Sequence, residues 1–319
     1  MIQCGSKIFG LSQPCLKEAW RPLKPLKSSN GRHNDRPLTV IAGYLGAGKT
    51  TLINRMLAEA VQPFAVIVND LGALAVDEAL ITGQQGTTLS LTNGCACCQI
   101  SADLAGQLAR LRQDDFSALV FEASGVAKAS RLATLTSQAE GYALAKVVTL
   151  VDGFDAPRLL ADAYLSPLIK EQIAAADWVL QTKRSEGVHP SLTRLAKDID
   201  QLPSSGSLPA ALAPGYCFDQ RGRFETGIKA PLFQHRVIFP KPDLAPDALR
   251  KFIADHPEIE RVKGWLVGPT DAVLVQATRA HFQARAVARA QGQGVQFIWR
   301  GDIELDFSAL TEGFDVLIK

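Results

Sequence analysis

Gly43-Tyr-Leu-Gly46-Ala-Gly48-Lys49-Thr50 decides how the rest of the 319-residue chain is read. The stretch meets the pattern G-x-x-x-x-G-K-[S/T]. It follows the apolar run Leu38-Thr-Val-Ile-Ala42. It opens the segment Lys49 to Ala60, where Leu52, Ile53, Met56 and Leu57 recur on one helical face. Strand, glycine-rich turn and helix, in that order, form the setting the pattern requires. Glycines let backbone N–H groups close around a β-phosphate, and the helix N-terminus adds its positive end. Lys49 is placed to reach the β- and γ-phosphates, and the Thr50 hydroxyl to ligate Mg²⁺. The expectation is a P-loop domain that binds a nucleoside triphosphate with Mg²⁺.

Working outward, Phe64–Val68, Ala118–Phe121, Val147–Val151 and Trp178–Leu180 read as further buried strands with helical segments between them. Ser101 to Arg112 is one such segment, with Ser101 as its N-cap. Nearly continuous apolar strands alternating with helices predict an α/β fold: a mostly parallel sheet covered by helices on both faces. The pattern breaks at Pro203-Ser-Ser-Gly-Ser-Leu-Pro209, a linker composition. Beyond it, strands are predicted at Phe233–Phe239, Ile259–Val267, Ala272–Ala277 and Val295–Trp299. Helices are predicted at Pro246–Asp255 and near the C-terminus, making a small α+β unit. The expected division is a basic disordered tail over 1–36, a nucleotide-binding domain over 37–202, a linker over 203–231 and a C-terminal domain over 232–319.

Composition narrows the class. A hydrophobic fraction of 47% and a charged fraction of 21% suit a globular protein with substantial cores. A net charge of +2 gives no electrostatic case for nucleic acid or an anionic membrane. No apolar run approaches the roughly 18–20 residues that span a bilayer. Met1 to Arg36 lacks the apolar region of a secretory signal, which points to a reducing, cytoplasmic compartment.

A hydrolysing P-loop protein needs carboxylates at later strand ends. Leu119-Val-Phe-Glu122-Ala-Ser-Gly125 supplies one, and Gly125 is spaced to sense a γ-phosphate. Asp70, closing the second strand in Val68-Asn69-Asp70-Leu-Gly72, is a second candidate for Mg²⁺ or for orienting the attacking water. The stretch Asn93-Gly-Cys95-Ala-Cys97-Cys98 holds three of the six cysteines. Adjacent thiols bridge each other poorly. Three soft ligands suit Zn²⁺ or another late transition metal, and an incomplete set permits exchange. A redox switch and chance clustering are the alternatives. The helix expected from Ser101 favours thiolate and serves the first two readings equally. The five histidines are scattered and read as surface or loop residues.

These motifs together resemble the CobW-type P-loop GTPases, regarded as metallochaperones. The resemblance rests on residues 43–51, on Asn-Asp-Leu-Gly (69–72) with Asp77, on Cys95, Cys97 and Cys98, and on Glu-Ala-Ser-Gly (122–125). It extends through Val-Val-Thr-Leu-Val-Asp (147–152), Gln-Ile-Ala-Ala-Ala-Asp (172–177) and Arg261-Val-Lys-Gly-Trp265. It implies Gly43, Gly46, Gly48, Lys49, Thr50, Thr51 and Gly125 at the phosphates, and Thr182, Lys183 and Ser185 at the base. It also implies Lys49, Asp70 and Glu122 in hydrolysis, Thr50 and Glu122 on Mg²⁺, and the three cysteines on cargo metal. At the base the family carries Asn/Thr-Lys-x-Asp, and this chain has Thr182-Lys-Arg-Ser185. Aspartate accepts from both N1–H and N2–H of guanine, whereas serine cannot span both donors. Glu186 is the nearest substitute. GTP is therefore the expected nucleotide, with ATP possible. The function implied is a nucleotide-hydrolysing chaperone that loads or delivers a metal such as zinc or cobalt to a client metalloprotein. The alternative is a regulatory nucleotide-binding protein that senses metal or thiol oxidation with little turnover.

Overall fold

The computed structural model describes residues 35–69, 88–91, 106, 108–112, 114–196, 199–218, 231–268, 272–279, 281–288, 290, 292–301 and 303–311. Residues 1–34 of the expected tail, Asp70 and the three clustered cysteines lie outside these residues, while Arg36, assigned to the tail from sequence, opens the first strand.

Strand β1 (Arg36–Gly43) lies at the centre of a seven-stranded sheet. β2 (Ala65–Asn69), β3 (Thr88–Leu91) and β4 (Leu119–Glu122) complete one side. β5 (Tyr142–Asp152), β6 (Trp178–Thr182) and β7 (Ile199–Gln201) complete the other. The order is β3-β2-β4-β1-β5-β6-β7, and all six pairings are parallel. The chain builds to one side of β1 and then to the other. The carboxyl edge of β1 is therefore a topological switch point, where open α/β sheets leave a crevice.

Helix α1 (Lys49–Glu59) covers one face with Leu52, Ile53, Met56 and Leu57 against Ile41, Val66, Val120 and Val148. The opposite face packs Leu38, Val40, Ile67 and Phe121 against Leu132 and Ala133 of α2 (Ala129–Ser137). Burial on both faces is what continuous apolar strands demand. Each buried Leu, Ile, Val, Met or Phe side chain among these stabilises the fold by roughly 1.5–3 kcal/mol. Helices α3 (Ala156–Ala161), α4 (Ser166–Ala174) and α5 (Pro190–Thr193) complete the layer. Residues 106 and 108–111 are helical, inside the segment predicted from Ser101.

Residues 203–218 have the predicted irregular composition, with one short 3-10 turn at Ala210–Leu212. The segment is nonetheless bonded to the sheet. Lys146 Nζ donates to Ala211 O at 2.6 Å and Ala213 O at 2.7 Å. Thr39 Oγ1 donates to Pro214 O, and Phe218 N to Ala145 O.

The second unit is a five-stranded antiparallel sheet of order β11-β10-β9-β12-β8. Its strands are β8 (Phe233–Ile238), β9 (Ile259–Val267), β10 (Ala272–Thr278), β11 (Phe282–Val287) and β12 (Gly294–Arg300). Helix α6 (Pro246–Asp255) buries Leu249 and Phe252 against Ile259, Val262, Phe297 and Phe307. Residues 303–311 form no helix, and residues 312–319, the remainder of the region where a C-terminal helix was predicted, lie outside the described residues. Leu305, Phe307 and Leu310 pack in extended and turn conformation on this core. The face opposite α6 meets the first unit. Ile298 joins the cluster of Leu159, Leu165 and Ile169, and Arg300 pairs with Asp162 at 2.8 Å. Among the described residues, no helix is long and apolar enough to cross a membrane.

Candidate nucleotide site

The predicted turn between β1 and α1 has the backbone its glycines suggested. Gly43, Gly46 and Gly48 hold φ of 136°, 78° and 97°, the region that L side chains avoid. The first helical amide past the turn bonds regularly, Leu52 N to Gly48 O at 2.9 Å. Within the turn, Ala47 N donates to Tyr44 O at 3.1 Å. Lys49 is 5% exposed. Its ammonium donates to the loop's own carbonyls, Gly43 O at 2.9 Å and Tyr44 O at 3.3 Å. The lysine thus reaches back across the loop it would serve.

Parallel pairing of β1 with β4 aligns Ile41 with Glu122, which sets the carboxylate beside the turn. Thr50 Oγ1 donates to Glu122 Oε1 at 2.9 Å, and Glu122 is 3% exposed. A hydroxyl and a carboxylate oxygen converge here. They form a hard, oxygen-only pair of the kind Mg²⁺ takes together with phosphate oxygens and water. The residues present therefore fit the ion that the sequence implied. Thr51 is exposed on α1.

Gly125 follows within reach. A Cβ built on it would stand 2.7 Å from Leu45 N and 2.9 Å from Leu45 Cα, so only glycine lets this segment touch the phosphate loop. Two neighbours that sequence reasoning did not assign hold it there. Gln172 Nε2 donates to Gly125 O at 3.2 Å and to Ala127 O at 2.9 Å. Fully buried Glu171 accepts from Ala129 N and Ser130 N, both at 3.0 Å, capping α2 from another helix. Gly125→Ala should force the backbone of Leu45 away. A loss of about 1–3 kcal/mol is expected for such overpacking. A domain of this size should then melt roughly 2–10 °C lower. An unchanged Tm in differential scanning calorimetry would show that the two segments part without cost.

The base-side loop follows β6. Thr182 Oγ1 donates to Ala47 O at 2.8 Å, binding this loop to the phosphate loop. Lys183 takes φ of 66° and its ammonium meets Asp152 Oδ2 at 2.7 Å. The other oxygen of Asp152 accepts from Phe154 N at 3.0 Å, so one carboxylate fixes both the turn after β5 and the lysine. Asp152 was legible as a strand-ending aspartate. Its role depends on the β5–β6 register that pairs it with Thr182. Gln181 pins the far side, donating to Gly187 O and accepting from His189 N. Ser185 is exposed, and Glu186 is 82% exposed beside Arg184 at 3.5 Å.

The structure therefore brings together Gly43, Gly46, Gly48, Lys49, Thr50, Glu122, Gly125, Thr182 and Lys183. Asp70, Cys95, Cys97 and Cys98 lie outside the described residues. Among the described residues, no three His, Cys, Asp or Glu side chains group as a metal site, and Cys217 is a free thiol. His189 and His256 each spend a ring nitrogen on a local bond, with Ser191 N and with Phe252 O.

A family model described as CobW/HypB/UreG, nucleotide-binding domain, matches residues 37–208. A zinc chaperone CobW of Pseudomonas aeruginosa is 30% identical, over 55% of this chain and 55% of its own length. A zinc chaperone YjiA of Escherichia coli is 33% identical, over 51% of this chain and 55% of its own. The chain thus spans about half the length of these two relatives. A zinc chaperone CobW of Sinorhizobium sp. is 29% identical over 88% of this chain and 97% of its own. The solved structure of Zn(II)-bound YjiA GTPase from E. coli is 22% identical, covers 84% of this chain and 95% of that one, and superposes with a TM-score of 0.42. With the family's nucleotide-binding domain matched over more than half of its residues, the chain belongs to the CobW/HypB/UreG family.

Proposed function

We propose that this protein is a GTP-hydrolysing metal chaperone that carries a transition metal, zinc first among candidates, to a client metalloprotein in the cytoplasm. The observation that carries the reading is the convergence of Lys49, Thr50 and Glu122 at the switch-point edge, with Thr50 and Glu122 2.9 Å apart. In this reading Lys49 leaves the Gly43 and Tyr44 carbonyls to meet the β/γ-phosphates. Thr50 and Glu122 hold Mg²⁺, which lowers the charge barrier to phosphoryl transfer. Gly125, seated on Leu45, reports the γ-phosphate to α2. Asp70 is a second carboxylate for Mg²⁺ or water. Thr182 and Lys183 flank the base. Ser185 gives guanine a single neutral partner, so discrimination against ATP is weaker than an aspartate would give.

Cys95, Cys97 and Cys98 serve as the cargo site, supported by the soft-ligand chemistry of three thiolates and by relatives named as zinc chaperones. We take 37–202 as the nucleotide-binding unit, 203–231 as the connection and 232–319 as the unit on which a client docks.

The test is metal affinity of the purified protein in nucleotide-free, GDP and non-hydrolysable GTP forms. One Zn²⁺ per chain is expected, roughly 5- to 150-fold tighter with the triphosphate, the usual range of allosteric coupling. Cys→Ser changes at 95, 97 and 98 should remove the metal and its stimulation of hydrolysis while sparing basal nucleotide binding. Metal affinity that is equal in all nucleotide states would defeat the transfer cycle and favour thiol sensing.

A further inference from the structure

Strand β11 ends the second sheet on one side, bonded to β10 and to no other strand among the described residues. Gln283, Ala284, Arg285 and Ala286 are exposed. The hairpin that opens the strand settles which of its backbone groups are free. Thr278 N donates to His281 O at 2.8 Å and His281 N to Thr278 O at 3.3 Å, so these two residues form a hydrogen-bonded pair. Antiparallel ladders alternate such pairs with non-bonded ones. In the register of β10 with β11, Gln283 and Arg285 therefore bond to β10. Phe282, Ala284 and Ala286 turn their N–H and C=O groups outward.

Open edges of this kind are ordinarily blunted by proline, a bulge or a covering segment. β11, Phe-Gln-Ala-Arg-Ala-Val, has no proline and pairs with β10 in an unbroken register. Two of its three outward-bonding residues are alanines, so a further strand can approach without displacing a long side chain. The edge does carry charge, all of one sign. No Asp or Glu occurs between Asp271 and Asp302, where the chain holds Arg279, His281, Arg285, Arg289 and Arg300. Arg285 is paired with Leu274, which puts it on the face of the sheet away from α6. On the α6 face, Arg250 stands over the Phe282 ring at 5.8 Å. An added strand alternates its side chains between these two faces, so carboxylates on either face meet a guanidinium. A second copy of this edge would bring like charges instead.

We propose that the outer edge of β11 takes up an extended, acidic segment of a client protein as a sixth strand of the sheet. The proposal deepens the reading of residues 232–319 as the unit on which a client docks, and rests on it. Backbone bonds to Phe282, Ala284 and Ala286 supply the affinity, and Arg285 and Arg250 select carboxylates.

The experiment uses the full chain and a fluorescein-labelled, acetylated peptide of alternating Glu and Val, with a Lys and Val peptide as control. Anisotropy should show saturable binding of the acidic peptide and none of the basic one. Arg285→Glu should weaken that binding by about tenfold or more, because it sets like charges against each other. Ala284→Pro removes an outward N–H and no bond to β10, a change edge strands tolerate, and should weaken binding as much. In the parent, hydrogen exchange should slow on peptide binding at the amides of Phe282, Ala284 and Ala286. Should Ala284→Pro fail to fold, Arg285→Glu and those three amides decide. Equal binding of the two peptides, parental binding in both variants, or unchanged exchange at the three amides overturns the proposal. So does a parent that sediments as a dimer with an Ala284→Pro variant that sediments as a monomer, which gives the edge to a second copy. A parent that hydrolyses GTP and takes up zinc but ignores the acidic peptide overturns this proposal alone. A parent that binds the peptide but hydrolyses no GTP overturns the chaperone reading and leaves the strand-adding edge in place.

Discussion

Lys49→Ala is expected to lose nearly all affinity for GTP while keeping its fold. The ammonium is buried and held over the loop by Gly43 O and Tyr44 O, so it is positioned before any phosphate arrives. Removing one member of a buried, hydrogen-bonded charge pair costs about 2–5 kcal/mol. That corresponds to roughly 30- to 5,000-fold in affinity. Isothermal titration with GTP and Mg²⁺ measures it directly, and circular dichroism confirms the fold. Two features protect the fold from this change. Lys49 lies at the first position of α1, and the hydrophobic contacts of that helix are made by Leu52, Ile53, Met56 and Leu57. A variant with parental affinity would remove the phosphate loop from the account.

Glu122→Gln should separate binding from turnover. The amide keeps the shape of the side chain and can still meet Thr50, so nucleotide affinity should change by less than about tenfold, or 1.4 kcal/mol. Turnover should fall by roughly 10²–10³-fold, the usual cost of removing a preorganised electrostatic contact at the reacting centre. Steady-state phosphate release at saturating GTP measures this. Parental turnover would pass the role to another carboxylate, with Asp70 the first to change.

The parts of this architecture that were legible in the sequence are the local ones. A glycine pattern, a strand and a helix lie within about two dozen residues around Lys49, and each is set by its own periodicity and φ demands. Of the four edge strands, β8 was legible, predicted as Phe233–Phe239, and the other three were not. β7 is three residues, Ile-Asp-Gln, with a single apolar side chain. β3, Thr-Leu-Ser-Leu, is four residues long, and β11 is largely exposed at the end of its sheet. Such strands are defined by the partner that bonds them, and local pattern carries little of that information. The same holds within the site. Glu122 announced itself by following an apolar strand and preceding a glycine. Glu171 and Gln172 act on Gly125 and Ala129 from more than 40 residues away, across a helix packing that no spacing rule encodes. The pairing of Arg300 with Asp162 belongs to this second kind, because it arises only where the two units meet.

The bonds between Lys146 and the carbonyls of residues 211 and 213 bear on where this protein can be divided. Lys146 is fully buried on β5 and donates to both carbonyls. Cutting the chain at residue 202, where the nucleotide motifs are complete, would take those acceptors away and leave an ammonium in the interior or open the sheet to water. It would also uncover Trp178, which packs on Phe218. The piece that contains every nucleotide motif thus ends short of the residues that close its own sheet. An excised domain has to carry sixteen further residues, as far as Phe218, as its own closing seam.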